Sequence, residues 1–254
     1  MWLSIAASIL MAVSVQWKPL QPGVELAIVP VDAGAVLHVV RVDPGKAPLQ
    51  VALASEAGGG SQTAAEWCRK ANLAVAINAG MFQTDHRSNV GYLRHGRHLN
   101  NPRFNSYRSV VAINPAEAVW LDLDQTNATA GLATYDIVVQ NLRLIAGDRK
   151  NVWSQSANRW SEAALAIDSK GRLLFLFSRA PYSMRDFNAL ILRLPLDVTR
   201  AMHLEGGPEA SLSIHVPGLD LDLCGSYETG FRPDDTNAQQ WPIPNVLGVA
   251  RPPR

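Results

Sequence analysis

"VELAIVPVDAGAVLHVVRVDPGKAPLQVALA", residues 24 to 54, decides the fold class. Three runs rich in Val, Leu and Ile are cut by Asp-Ala-Gly and by Asp-Pro-Gly-Lys-Ala-Pro, and this alternation with turn residues predicts strands joined by hairpins. The pattern then changes. Thr63-Ala64-Ala65-Glu66 places a hydroxyl at a cap with Glu three residues on, so "AAEWCRKANL" is expected to be a short amphipathic helix. "LAVAIN", residues 73 to 78, is a continuous apolar run, the mark of an interior strand.

Working outward, "VVAINP", "AVWLDLD" and "TYDIVVQ" read as strands. "GYLRHGRHL" reads as a hairpin turning at His95-Gly96, and "ALAIDSKGRLLFLFS" as one turning on Asp-Ser-Lys-Gly. A second helix is predicted over "SMRDFNALILRL", capped by Ser183 and stopped by Pro195. The tail from Tyr227 is rich in Pro and Asn and is expected to wrap the surface. The aspartates of "LDLD" alternate with leucine and are expected on a wet face. Many strands and two helices predict an α+β fold: a mixed, mostly antiparallel β-sheet core with a few helices in a single domain.

Composition limits the function. With 254 residues and 47% apolar content the chain can bury the core of one domain. Lys and Arg number 23 against 22 Asp and Glu, a net charge of +1 that does not fit a nucleic-acid partner. "MWLSIAASILMAVSV" has the length of a signal-peptide apolar region, is short for a bilayer span, and carries small residues at Ala12-Val13-Ser14. Residues 1–16 are therefore expected to be a signal peptide and residues 17–254 the domain. The protein would be exported, to the periplasm or the medium, with no stable membrane span after processing.

Cys68 and Cys224 are compatible with one disulfide or with two buried thiols, and two cysteines exclude a zinc site built on cysteine pairs. His203 and Glu205 form an HxE pair, but the PCxxC that a zinc deaminase needs is absent. His86, His95 and His98 cluster without an HExxH spacing, and no GxSxG, Walker or GxGxxG element opens a helix. No metal and no cofactor are expected.

Two segments share one design, a buried strand running into a polar turn that bears glycine: "AVAINAGMF" and "AMHLEGGPEASL". Glycine lets backbone approach a ligand, and such strand ends would present Asn78 and Glu205. A carboxylate at the end of an apolar strand is costly without a partner, which marks Glu205 as functional. Arg87, Arg94, Arg97, Arg103 and Arg108 fall within 22 residues. Arginine suits bidentate recognition of phosphate, so this loop points to an anionic substrate.

"AINAGMF", "GYLRHG", "LAIDSKGRLLFLFS" and "HLEGGPEASL" occur in the order seen in the phosphodiester glycosidase domain family, and residues 24 to 224 resemble it. The family's Ile-Asn-Gly-type strand end matches Ile77, Asn78, Ala79 and Gly80. Its acid-Gly-Gly element matches Glu205, Gly206 and Gly207, with Ser211 at the small-residue position. Many members have Asp where this chain has Glu205, and an Arg that leads a strand in the animal-type members is matched only loosely by Arg159.

The resemblance implies hydrolysis of a sugar-1-phosphodiester at the anomeric carbon, in an envelope or exopolysaccharide substrate. On that reading Glu205 is the base or the stabiliser of an oxocarbenium-like state. Asn78, Arg94 and Arg103 would orient sugar and phosphate. Gly80, Gly206, Gly207 and Ser211 would line the substrate, and Asp85 would be a second acid facing Glu205. The rival reading is an exported, non-catalytic module that binds a glycan or phosphoglycan through the same residues.

Overall fold

The computed structural model describes residues 14–125 and 129–252. The expected signal peptide lies almost wholly outside them. In chain order the elements are β1 (Lys18–Gln21), β2 (Val24–Pro30), β3 (Val36–Val42), β4 (Leu49–Leu53), α1 (Ala64–Lys70), β5 (Leu73–Asn78), β6 (Leu93–His95), β7 (His98–Asn101), β8 (Ser109–Ile113), β9 (Ala118–Asp122), β10 (Ile137–Asn141), β11 (Arg143–Ala146), β12 (Lys150–Asn151), β13 (Trp160–Asp168), β14 (Leu173–Tyr182), α2 (Met184–Arg193), β15 (Val198–Gly206), β16 (Ser211–Val216), β17 (Leu219–Cys224) and β18 (Asn245–Ala250). They form three sheets: β1-β2-β3-β14-β13-β15-β11-β12, β7-β6-β10-β8-β9, and β17-β16-β5-β18-β4.

Local sequence explains the elements that were expected. The capping box forms as read: Thr63 Oγ1 accepts from Glu66 N at 3.2 Å while Glu66 Oε2 accepts from Thr63 N at 2.8 Å. Ser183 caps α2 by accepting from Asp186 N, and Pro195 follows its last turn. Asp168 holds the β13–β14 turn by accepting from Lys170 N and Arg172 N, and Gly171 supplies the positive φ of +77°.

Alternation along the strands builds the core. Leu26, Val40, Phe175, Phe177, Met202 and Leu204 face inward from the eight-stranded sheet against Val75, Ile77, Leu212 and Leu247 of one five-stranded sheet and Val111 and Val139 of the other. The opposite face of the eight-stranded sheet carries Val39, Ala164 and Leu176, which pack on Phe187, Leu190 and Ile191 of α2. Each fully buried side chain of this kind contributes about 1.5–3 kcal/mol by leaving water. Helix α1 covers the outer face of the β4/β5/β18 sheet with Trp67 and Cys68.

The sheets are not mixed: every strand pairing among the described residues is antiparallel. The reason lies in the tail. A strand-helix-strand unit, β4-α1-β5, would ordinarily give a parallel pair. Here β18 inserts between β4 and β5 and pairs antiparallel with both. The tail is therefore partly core rather than a surface wrap. Gly248 allows the close fit, since a Cβ there would lie 2.6 Å from Leu73 Cδ1 and from the Val75 carbonyl.

Asp122 corrects the reading of "LDLD" as a wet face. It is buried, accepts from Arg200 Nε at 2.9 Å and lies 3.8 Å from Arg143 Nη1, whereas Asp124 is exposed. Cys68 and Cys224 are both free thiols, and burial pushes the Cys68 thiol up to about 12. No helix among the described residues is long and apolar enough to cross a membrane.

If β18 is a core strand, Leu247→Ala should cost about 2–5 kcal/mol of stability, read as a lower urea midpoint at unchanged slope. A loss under about 0.5 kcal/mol is what a surface position would give, and it would contradict this placement.

Candidate active site

The two strand ends singled out by sequence meet at one place. After Glu205 the chain leaves the eight-stranded sheet, makes a single 3₁₀ turn over Gly207–Glu209, and enters the β5-containing sheet as β16. Glu-Gly-Gly-Pro is thus the corner between two sheets. Gly207 turns it with φ +61°, and a Cβ there would collide with the Glu228 carboxylate. Gly206 is extended, and its missing side chain admits the Trp160 ring, which a Cβ would meet at 2.8 Å.

Asn78, at the end of β5, holds the corner from the other sheet. Its Oδ1 accepts from Ser211 N at 2.8 Å and its Nδ2 donates to the Glu209 carbonyl at 3.0 Å. Ser211 is buried beside it and donates through Oγ to the same carbonyl at 3.2 Å. Gly80 has φ +149°, and a Cβ there would meet Asn141 at 2.6 Å and Asn89 at 2.8 Å. The next residue, Met81, reaches the site.

A cavity of about 230 Å³ opens at this corner, lined by Met81, Trp160, Met184, His203, Glu205, Gly206, Glu209 and Glu228. His203 and Glu205, separated by a bulge in β15 opposite Ala163 and Ala164, both line the cavity and are only 4% and 8% exposed. Glu162 on the neighbouring β13 accepts His203 Nδ1 at 2.6 Å through Oε1, and its Oε2 accepts Trp160 Nε1 at 2.6 Å. His203 Nε2 has no protein partner among the described residues and belongs to a side chain that lines the cavity. Glu228 arrives by the antiparallel bridge Trp160↔Glu228, secured by Ser161 N donating to the Tyr227 carbonyl at 2.9 Å.

Phosphodiester glycosidase is the family whose model matches this chain, over residues 71–250. The chain belongs to that family. Among solved structures, the catalytic domain of zebrafish N-acetylglucosamine-1-phosphodiester alpha-N-acetylglucosaminidase, auto-inhibited by its pro-peptide, superposes with a TM-score of 0.63 at 14% identity, over 94% of this chain and 88% of that one. A hypothetical protein from Synechocystis gives a TM-score of 0.64 at 15% identity over 92% of this chain, which spans 64% of the length of that protein. At these identities the likeness is one of fold. No curated protein matches the chain in sequence.

The titration behaviour of this family member's cavity follows from its burial. Desolvation raises Glu205 from 4.5 to about 8; His203 and the Gly206 amide oppose the rise, while Glu209 and Glu228 add to it. Burial works against charging His203, yet the Glu162 carboxylate, assisted by Glu205 and Glu228, holds its pKa above the ordinary value. Glu209 and Glu228 are each raised by burial, and Glu209 further by Glu228.

The other expected site residues lie elsewhere. Arg94 donates to the carbonyls of Gly96, Leu132 and Tyr135, which makes it a clamp between the β6–β7 turn and the 132–135 turn. Arg103 is exposed, and its backbone N donates to Asn101 Oδ1. Asp85 is exposed and caps its own turn by accepting from Arg87 N, Ser88 N and Ser88 Oγ; the Ser88 hydroxyl bond holds its pKa down. Arg159 pairs through its backbone with Thr229. The long loop does approach Glu205, through Met81 and through Tyr107, whose pKa is raised by burial and by Glu205. No arginine among the described residues lines the cavity.

Sequence reading passed over Glu162, Glu209, Glu228 and Trp160. Glu162 was signalled as the one acid inside the apolar run "SEAALAI". Glu209 stood within the stretch already singled out. Glu228 carried no local signal, because only the pairing of residues 227–229 with the start of β13 brings it in.

A carboxyl raised from 4.5 to about 8 favours the folded state while it holds its proton. Its contribution is full below about 4.5 and is lost as pH rises through about 8. Glu205→Gln, which stays neutral, should match the wild type near pH 5 and exceed it in urea midpoint near pH 9. A midpoint difference that does not change with pH would show that the carboxyl is not held neutral.

Proposed function

We propose that this chain hydrolyses the bond between the anomeric carbon and the phosphate of a sugar-1-phosphodiester, releasing a free sugar and a phosphomonoester. The observation that carries the reading is Glu205, a nearly buried carboxyl that is neutral at pH 7 and lines a cavity shared with the half-buried Glu228. Carboxyls whose surroundings set their proton affinities apart are the working parts of a glycoside hydrolase.

The steps follow from those positions. Glu205 gives its proton to the departing phosphate oxygen as the C1–O bond breaks, and the carboxylate left behind faces the oxocarbenium-like carbon and stabilises it. Phosphate departs readily, so a weak acid suffices. Water adds to C1, and its proton passes to the Glu228 carboxylate. His203, held as a cation by Glu162, offers Nε2–H to a phosphate oxygen. This replaces the arginines that sequence alone put forward for that role. Asn78, Gly206, Gly207 and Ser211 act by fixing the corner on which Glu205 stands.

The apolar amino terminus supports export, and we place the substrate in the bacterial envelope or an exopolysaccharide. A cavity of about 230 Å³ is below the roughly 300–1,000 Å³ of drug-sized sites and suits the end of a glycan rather than its interior.

Release of reducing sugar from a panel of sugar-1-phosphodiesters tests the proposal. Wild type should turn over at least one, kcat/KM should fall as pH rises through about 8, and Glu205→Gln should lose roughly 100-fold or more. Saturable binding without turnover, unchanged in Glu205→Gln, would establish the glycan-binding module instead.

A further inference from the structure

The mechanism leaves Glu209 unexplained and uses Glu228 only to accept the proton of the attacking water. Each is half-buried and lines the cavity, and neither carboxylate has a hydrogen-bond or ion-pair partner among the described residues. Among the described residues the one cationic side chain in the lining is His203, bound through Nδ1 to Glu162. Outside the lining, the exposed His86 lies near enough to favour charge on Glu209. Carboxyls partly withdrawn from water without a direct ion-pair partner are costly; Glu228 adds to the burden on Glu209, while His203 favours charge on Glu228.

Sugar hydroxyls would supply hydrogen bonds but would leave two like charges in one small cavity. An ammonium group answers both needs, with three donors and a positive charge. An ordinary phosphodiester is moreover an anion entering a cavity that holds, besides the neutral Glu205, the carboxyls of Glu209 and Glu228 against one imidazole. A positive charge on the same substrate removes that mismatch.

We propose that Glu209 and Glu228 recognise a primary ammonium group, so that the substrate is a sugar-1-phosphodiester bearing an unacylated amine on its sugar or on its aglycone. This rests on the hydrolase reading above. Trp160, its indole N–H fixed to Glu162, adds an aromatic wall beside the ammonium.

The test compares methyl diesters of glucosamine-1-phosphate, N-acetylglucosamine-1-phosphate and glucose-1-phosphate with the ethanolamine diester of glucose-1-phosphate. Rates are measured on wild type and on Glu209→Gln, and binding by calorimetry on wild type, Glu209→Gln and Glu228→Gln. One of the two amines should lead its neutral counterpart by about tenfold in kcat/KM or affinity, and the one that leads places the ammonium on sugar or aglycone. Both variants should shrink the ratio towards one in binding. Turnover with no preference for an amine, or a preference that survives in folded variants, overturns the proposal and leaves the hydrolase intact. Amine-selective binding that the variants abolish, without turnover of any ester, would keep the recognition of an ammonium group by Glu209 and Glu228 and remove the hydrolase reading. Absence of both turnover and binding overturns the two together.

Discussion

Two hydrogen bonds from Asn78 to the backbone of residues 209 and 211 hold the corner on which the site is built. The chain must pass there from the eight-stranded sheet to the sheet containing β5, and the passage leaves backbone groups with no ladder partner. An amide side chain offers a donor and an acceptor together, so a single buried residue satisfies both sides of the turn. Gly206 and Gly207 are needed because Trp160 and Glu228 occupy the space a Cβ would take. The corner, the aromatic wall and the second acid are thus one packing solution.

The charge state of the cavity follows from that packing. Glu205 sits at the end of a strand with apolar neighbours on the opposite face, and the burial that makes the strand stable makes the carboxylate expensive. The Glu162–His203 pair places a cation next to it without giving it a direct salt bridge. Trp160 fixes the far oxygen of Glu162, so the imidazole orientation is set from two strands and an indole. Rigidity of this kind is what positions a proton donor to within a fraction of an ångström.

Much of the fold was legible from local pattern. Period-two alternation, the capping box at Thr63 and Glu66, and Ser183 ahead of α2 each arise from interactions within a few residues, and each formed as read. Glu205, Asn78 and the glycines stood out because a buried strand has no local reason to end that way. In the arginine loop residue type gave a chemistry without a place, and Arg94 spends its guanidinium on three backbone carbonyls.

What the sequence determined by itself was the strand-rich class, the two helices and the corner that carries the acid, since these depend on hydrophobic period and on turn chemistry. Only the tertiary structure decided that the C-terminal "NVLGVA" inserts between β4 and β5, turning what reads as a mixed sheet into an antiparallel one. It alone brought Glu162, Glu209 and Glu228 around His203 and Glu205. Strand order and the meeting of residues far apart in the chain are set by long-range burial and pairing, whose free energy is spread over many contacts and leaves no mark on any short stretch of sequence.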